Sequence, residues 1–254
     1  MPRRAPPVHK ISQRLHVTQD LAAGQRLVLA DKQAHYLRNV LRLEAGAQIL
    51  FFNGRDGEWL GRIIDIGKKQ VSIELIEQTR AQNMGSDIWL LVAPVKKDRL
   101  DYLAQKATEM GVGRLMPVMT ARTQGGKAVS RDKLCANLSA NAIEAAEQCN
   151  ILSVPDISEV ANLADILANW PSDRALIFCD EEATTGEGLA ALDKLKGQKL
   201  AVLIGPEGGF DQTERAMLNA RADTHGLSLG PRILRTDTAV VAALALMQAR
   251  LGDW

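Results

Sequence analysis

A loop rich in glycine directly follows a short apolar run in the C-terminal half of the chain. The run Leu200 to Ile204 is typical of a buried strand, and the segment Gly205 to Phe210 that follows it reads GPEGGF. Glycine lets a backbone come close to a ligand and adopt positive φ, and ligands of open α/β sheets bind beyond the carboxyl ends of the strands. An ordinary strand-to-helix turn is the alternative, but it needs one glycine where this loop has three. The pattern therefore favours a ligand-binding loop.

Two phosphate-binding patterns are absent from the sequence. It contains no G-x-x-x-x-G-K-[ST] motif, and no G-x-G-x-x-G follows a predicted strand. These patterns would be expected if the loop held a nucleoside triphosphate or a dinucleotide. The loop therefore predicts a ligand of another class.

A second segment combines apolar side chains with residues that leave backbone groups accessible. Residues 227–238 read LSLGPRILRTDT, so a short strand ends at Gly230-Pro231 and the apolar pair Ile233-Leu234 follows. Such a segment would suit a purine, whose faces need apolar walls and whose edge needs hydrogen bonds. Thr236 or Asp237 could cap the last helix. Taken alone, the segment is better explained as a helix cap beside a core-packing loop.

Alternating strands and helices must position both segments. Buried strands are predicted at Ile88–Val95, Arg114–Met119, Ala175–Phe178 and Leu200–Ile204. Helices are predicted at Lys96–Gly111, Ser130–Gln148 and Thr238–Leu251, and around Leu189–Leu195 and Thr213–Arg221. Continuous apolar strands are typical of a sheet covered on both faces, so we predict an α/β domain with a mostly parallel sheet over residues 88–254. The final helix is apolar nearly all round and should be buried on more than one side.

Residues 1–80 show a different pattern, in which short predicted strands outnumber a single predicted helix. Strands are predicted at Arg26–Leu29, Gln48–Phe52, Trp59–Ile66 and Val71–Ile76, with His16 at another strand position and an amphipathic helix at Gln33–Leu43. Residues 53–57 (NGRDG) and 67–70 (GKKQ) are typical of tight turns between strands. We therefore predict a small β-barrel domain, joined to the second domain by a polar linker at Thr79–Ser86.

The charges are distributed unevenly although the whole chain carries a net charge of only +1. Residues 1–133 contain 22 Lys and Arg against 13 Asp and Glu, whereas residues 134–230 contain 6 against 15. A basic front half suggests that a polyanion binds there. Chance fluctuation of charge along the chain explains the asymmetry equally well.

Cysteine usage and hydropathy narrow the class of protein further. Cys135, Cys149 and Cys179 are scattered and show no C-x-x-C spacing. This pattern argues against a disulfide framework or a metal site and favours a reducing cytoplasm. The longest apolar run, Ala239 to Met247, is too short to cross a bilayer, so we expect no membrane association through a spanning helix.

Several segments together resemble those of the bacterial RsmE methyltransferases, which belong to the knotted SPOUT superfamily. They are residues 204–210 (IGPEGGF), 229–239 (LGPRILRTDTA), 35–42 (HYLRNVLR), 106–112 (KATEMGV) and 144–149 (EAAEQC). The segments occur in the family's order and the resemblance covers nearly the whole chain. Two departures stand out: Ile151 replaces an arginine found in many members, and Asp237 replaces a glutamate.

The resemblance implies a fold, a reaction and a cofactor. The fold is a trefoil-knotted SPOUT domain preceded by a PUA-like barrel, and the reaction is methylation of uridine N3 in 16S, small-subunit ribosomal RNA. The cofactor is S-adenosyl-L-methionine, held by the two segments in the knot. Its implied contacts are Ile204, Gly205, Glu207, Gly208, Leu229, Gly230, Ile233, Leu234 and Thr238. The final helix would then also pack at a homodimer interface.

Uracil N3 is mostly protonated at neutral pH, so the implied reaction needs a base or a cation that stabilises the uracil anion. Arg122 and Arg235 could supply the positive charge, and Glu147 could accept the proton or, with Gln148, read the edge of the ring. The alternatives are a structural ion pair for each arginine and a solvated helix position for Glu147. Predicted contacts with RNA phosphates are Arg38, Arg42, Lys68, Lys69 and Lys96. Arg38 and Arg42 are four residues apart and would share a helix face.

Two other functions remain compatible with these residues. A non-catalytic RNA-binding protein could keep the same fold, although it would be free to lose the glycines of the loop. A related enzyme could modify another nucleotide or transfer RNA, because phosphate contacts carry no base identity.

Overall fold

The chain folds into two compact units. One comprises residues 1–84 together with 147–153, and the other comprises residues 85–146 together with 154–254. The structure, a computed structural model, describes residues 13–83, 85–124, 130–180, 192–252 and 254. The first three residues of the helix predicted around Leu189–Leu195 lie outside the described residues, as do residues 1–12. Of the described remainder, Leu192 and Asp193 are helical.

The described residues of the first unit contain five strands. They are β1 (Arg14–His16), β2 (Arg26–Ala30), β3 (Gln48–Phe52), β4 (Glu58–Ile66) and β5 (Gln70–Arg80). They pair in the order β1-β3-β4-β5-β2, and every pair is antiparallel except β1 with β3. The turns predicted at residues 53–57 and 67–70 join β3 to β4 and β4 to β5, which are antiparallel neighbours, so both predictions are confirmed. Strand β5 continues to Arg80, so the strand takes up the start of the segment predicted as a linker.

The helix predicted at Gln33–Leu43 is shorter and less regular than its sequence indicates. An α-helix α1 (Asp31–His35) passes directly into one π-helical turn, Tyr36–Val40. The amide of Leu43 then donates to the Leu37 carbonyl at 3.0 Å, and Arg42 adopts a left-handed φ of 53°. Arg42 therefore lies outside the helix, and the prediction that Arg38 and Arg42 share a helix face is wrong.

The second unit is an α/β fold around a parallel sheet, as predicted. Its main strands are β6 (Ile88–Val92), β7 (Val112–Met119), β10 (Arg174–Cys179), β11 (Lys199–Ile204) and β12 (Thr224–Leu227). They pair in the order β12-β10-β11-β6-β7, and the short strands β8 (Asp156–Ile157) and β9 (Ala161–Asn162) each pair with β7. All of these pairings are parallel. His225 lies in β12.

Helices cover both faces of this sheet. The described helices are α2 (Lys97–Glu109), α3 (Arg131–Gln148), α4 (Leu163–Ala168), α5 (Gln212–Asn219) and α6 (Thr236–Leu251). Leu90 and Val202 on one face pack in the same core cluster as residues of α2, α3 and α6. Leu91 and Leu203 on the opposite face pack with residues of α4 and α5. Burial on both faces explains why these strands are apolar at consecutive positions.

The final helix begins two residues before the predicted start. Thr236 is its first residue, and Arg235 occupies the N-cap position without a capping hydrogen bond from its side chain. The Asp237 carboxylate accepts from the Thr238 amide at 2.9 Å, but from inside the first turn. The prediction that Thr236 or Asp237 is the N-cap is therefore wrong. The Thr236 hydroxyl instead donates to the carbonyl of Gly205 at 3.2 Å. Within the described ranges, no helix is long and apolar enough to cross a membrane.

Candidate cofactor pocket and adjoining cation pocket

A pocket opens at the carboxyl ends of three neighbouring strands of the parallel sheet. Cys179 and Asp180 lie at the end of β10, Ile204 and Gly205 at the end of β11, and Leu227 at the end of β12. This is the edge of the sheet at which the sequence predicts a ligand.

The glycine loop forms one wall of this pocket and has a defined internal structure. The amide of Gly209 donates to the Pro206 carbonyl at 2.9 Å, which closes a turn, and Gly209 has a φ of 65° that favours glycine. Helix α5 begins immediately afterwards. Asp211 accepts from the Glu214 amide at 2.8 Å, and the Glu214 carboxylate accepts from the Asp211 amide at 3.0 Å. This reciprocal cap fixes where the loop ends.

The segment after β12 forms the opposite wall. Leu229, Ile233 and Leu234 line the pocket, and Gly230, with a φ of 100°, allows the chain to turn there. Ile233 is 82 % exposed, which is unusual for a large apolar side chain and leaves it accessible to a bound molecule. The hydrogen bond from Thr236 to Gly205 joins this wall to the glycine loop. Apolar walls beside accessible backbone groups fit an aromatic heterocycle such as a purine.

Seven of the nine predicted cofactor contacts line this pocket. They are Ile204, Gly205, Glu207, Leu229, Gly230, Ile233 and Leu234. Gly208 lines an adjoining pocket instead, and Thr238 is an exposed residue of the final helix that is not among the lining residues.

Two charged side chains that sequence reasoning missed lie in the wall of the same pocket. Nη2 of Arg215, on α5, is 3.0 Å from Oδ1 of Asp180, at the end of β10. Their side chains are only 12 % and 8 % exposed. Asp180 could have been suspected because it directly follows a buried strand. Nothing in the sequence indicates that Arg215 faces it, because that depends on the packing of α5.

Cys179 lines the pocket beside this ion pair. Burial raises the pKa of its thiol to about 12, and the negative charge of Asp180 adds to the increase. The thiol therefore stays protonated at neutral pH, and it is not available as a thiolate nucleophile.

A second pocket adjoins the first and is bordered by cations. Its lining includes Lys96, Arg122 and Gly208, and it shares Glu207 with the first pocket. Nη1 of Arg122 donates to the Gly208 carbonyl at 2.7 Å, which anchors this arginine to the glycine loop. Lys96 and Arg122 are both exposed. Two positive charges beside the glycine loop could stabilise an anion that forms there.

The other two predicted catalytic residues lie elsewhere. Arg235 is exposed just before the final helix and lines neither pocket among the described residues. Glu147 belongs to the first unit, where its Oε1 accepts from the amide of His16 at 2.8 Å. Its own carbonyl accepts from Nη1 of Arg14 at 3.2 Å. These contacts give Glu147 a structural role, which differs from both the predicted catalytic role and the alternative of a solvated helix position.

Four of the predicted RNA contacts lie in the first unit. Nη1 of Arg38 donates to the carbonyls of Gly67 and Lys68, at 3.2 and 2.7 Å, and so holds the turn between β4 and β5 against the π-helical turn. Lys68 and Lys69 are exposed at that turn, and Arg42 is exposed as well. The hydrogen bonds of Arg38 explain how the lysines come to lie beside it.

Comparison with known proteins defines the class of this chain. Residues 82–248 match the family model described as an RNA methyltransferase domain, and residues 29–76 match an RNA methyltransferase PUA domain. The parallel sheet with its pocket lies in the first match, and most of the five-stranded sheet lies in the second. The chain thus combines an RNA methyltransferase domain with a PUA domain.

Individual relatives narrow this class to one family. The chain is 33 % identical over 240 residues to ribosomal RNA small subunit methyltransferase E of Rickettsia conorii, covering 94 % of this chain and 95 % of the relative. A solved structure of ribosomal RNA small subunit methyltransferase E from Neisseria gonorrhoeae, bound to S-adenosyl methionine, is similar with a TM-score of 0.84 and 27 % identity, over 95 % of this chain and 99 % of that one. A methyltransferase structure from Legionella pneumophila, also with bound S-adenosyl methionine, gives a TM-score of 0.80 and 28 % identity, over 95 % and 98 %. The chain belongs to the ribosomal RNA small subunit methyltransferase E family, as its sequence motifs indicate.

Proposed function

We propose that this protein transfers a methyl group from S-adenosyl-L-methionine to N3 of a uridine in 16S ribosomal RNA of the small subunit. The observation that carries the proposal is the pocket at the carboxyl ends of β10, β11 and β12. It is built from the two segments that resemble the family's signature, and relatives of the same fold bind the cofactor.

The chemistry of the first pocket fits the proposed cofactor. The apolar side chains of Ile204, Leu229 and Leu234 would contact the faces of the adenine. Backbone groups of the two loops would form hydrogen bonds with its edge. Glu207 lies where the two pockets meet, at the boundary between donor and acceptor. We further propose that the C-terminal segment is threaded as a trefoil knot. The resemblance to the family supports that threading.

We propose that the target base enters the second pocket. Methyl transfer from a sulfonium needs in-line placement of donor and nucleophile more than covalent help from the protein. Uracil becomes nucleophilic at N3 when its proton leaves, and negative charge then spreads over the flanking carbonyl oxygens. Arg122, held by the Gly208 carbonyl, and Lys96 are placed to stabilise that charge. Gly208, with its minimal side chain, would let the base approach the loop.

The remaining predicted site residues take weaker roles in this proposal. Arg235, exposed next to the cofactor segment, would contact the RNA rather than the reacting base. Glu147 would be structural because its carboxylate is engaged by the His16 amide. The N3 proton would then pass to a water molecule, and the neighbouring cations would stabilise the anion that remains.

The first domain, residues 1–80, is proposed to bind the RNA backbone. Lys68, Lys69 and Arg42 present exposed positive charge, and the Arg38 contacts set the shape of the surface that carries them. Phosphate contacts of this kind give affinity and orientation without base identity. Specificity for one uridine would then come from the second domain.

We also propose that the protein is a homodimer that works in the cytoplasm on 16S ribosomal RNA within the small ribosomal subunit. One side of the final helix supports the dimer, because four of its apolar residues are only half-buried in the single chain. They are Val241, Ala242, Ala245 and Leu246.

Calorimetric titration with S-adenosylhomocysteine, the product form of the donor, tests the cofactor part of the proposal. Binding at about one site per chain is expected without RNA. Absence of binding, even with small-subunit RNA present, would contradict the proposal and favour a non-catalytic RNA-binding protein.

A further inference from the structure

The cofactor pocket contains a buried ion pair that its adenine-binding role does not require. Asp180 and Arg215 come from separate elements, the end of β10 and the middle of α5, and meet at 3.0 Å in the pocket wall. Their carboxylate and guanidinium therefore present both signs of charge to one side of the cavity.

Burial distinguishes this pair from the other charged residues of the pocket. Glu207 is 50 % exposed and pairs with Arg99 at the rim, and Arg232 is exposed. Removing a carboxylate and a guanidinium from water carries a large desolvation cost, which further hydrogen bonds to a ligand can offset. The buried pair is therefore better suited than the rim residues to recognise charge on a bound molecule.

We infer that Asp180 and Arg215 recognise the amino-acid end of S-adenosyl-L-methionine. That end is a zwitterion, so its ammonium group would bind the Asp180 carboxylate and its carboxylate would bind the Arg215 guanidinium. The adenosine part carries no opposite charges of this kind and would occupy the apolar walls formed by Leu229, Ile233 and Leu234. The two residues are thus specificity-determining residues for the cofactor, and the inference rests on the proposed function.

Two ligands that differ only beyond the ribose can test this inference. S-adenosylhomocysteine retains the amino-acid end, whereas 5′-methylthioadenosine retains the adenine, the ribose and the sulfur but lacks that end. Asp180→Asn and Arg215→Gln should each weaken binding of S-adenosylhomocysteine by about tenfold or more, because each removes a charged hydrogen bond. Binding of 5′-methylthioadenosine should change by no more than about twofold, since it makes no such bond.

Lys199→Gln provides a matched control. It removes one partner of an exposed ion pair with Asp173 at the opposite end of β11, so both ligands should bind as they do to the unchanged protein. Each variant's thermal unfolding without ligand shows whether it is folded. If Arg215→Gln disturbs α5, the inference is tested with Asp180→Asn alone, because that substitution hardly changes the shape of the side chain. General damage to the pocket would weaken binding of both ligands alike. The ratio of the two dissociation constants therefore reports only the loss that is specific to the amino-acid end.

Each other outcome contradicts a defined part of the account. Equal loss for both ligands would assign the pair to the ribose or to the fold and overturn the inference. A loss for S-adenosyl-L-methionine but not for S-adenosylhomocysteine would assign Asp180 to the sulfonium charge and also overturn it. Failure of the unchanged protein to bind S-adenosylhomocysteine would instead contradict the proposed function.

Discussion

In the proposed cofactor pocket the thiol of Cys179 would lie close to the methyl donor. A thiolate would compete with RNA for the methyl group, because it is a far stronger nucleophile than a thiol. Burial and the neighbouring Asp180 raise the pKa of Cys179 to about 12, so the thiol remains protonated. The pocket therefore tolerates a sulfur atom without offering a second acceptor.

Alkylation by iodoacetamide at pH 8 tests this explanation. Cys149 is exposed and should be modified, whereas Cys179 should remain unmodified in the folded protein because its raised pKa keeps the thiolate scarce. Peptide mass spectrometry distinguishes the two sites. Both should react after denaturation in urea, which serves as the control. Rapid modification of Cys179 in the folded protein would contradict the raised pKa.

Arg122 is the residue on which the proposed stabilisation of the uracil anion depends most. Arg122→Gln should lower kcat for methyl transfer by about 10²-fold, the effect typical of losing one electrostatic stabiliser of a developing negative charge. Affinity for S-adenosylhomocysteine should stay unchanged, because Arg122 lines the second pocket and not the first. Single-turnover rates and calorimetry measure the two effects. Arg122→Lys keeps the charge and should recover part of the rate; full activity of Arg122→Gln would exclude the proposed role.

At the scale of elements, one arginine links two parts of the proposed RNA-binding surface. The side chain of Arg38, in the π-helical turn, donates hydrogen bonds to carbonyls of the turn between β4 and β5. Lys68 and Lys69 are exposed at that turn. Arg38 and Lys68 are 30 residues apart in sequence, so the positive charge of this surface comes from separate elements. Its shape depends on Arg38 more than on any helical spacing.

Replacing both lysines at the turn, Lys68→Gln with Lys69→Gln, should weaken RNA binding across sequences. Each phosphate that the protein no longer neutralises should make the slope of log affinity against log salt less steep by roughly 0.7–0.9. Binding titrations at several salt concentrations measure it. The control is Lys194→Gln with Lys196→Gln, which removes the same charge from exposed positions of the second unit. Equal weakening in both double variants would show that net charge alone governs binding.

At the scale of the whole molecule, the sequence was informative where local pattern decides structure. Continuous apolar runs predicted β6, β10 and β11, and three close glycines predicted the loop that lines the pocket. The local pattern gave a wrong prediction for Arg42, which was placed in a helix. The periodicity of apolar residues does not reveal that the helix ends in a π-helical turn followed by a residue with left-handed φ. In β1 it indicated only His16, because a strand of three residues is too short to show alternation.

The ion pair in the pocket lay beyond prediction for a different reason. Asp180 and Arg215 meet because β10 lies between β11 and β12 in the sheet and α5 brings its arginine to the end of β10. Strand order is a long-range property that a single sequence does not state. Positions at strand ends could be predicted, but the partners that reach them could not.

Methyl transfer itself tests the central claim most directly. Purified protein would be incubated with small ribosomal subunits and with isotopically labelled S-adenosyl-L-methionine, and the digested RNA would be analysed by mass spectrometry. The account predicts one labelled 3-methyluridine per subunit, formed only when donor and active protein are both present. Label on another nucleoside, or none on RNA although S-adenosylhomocysteine binds, would contradict it.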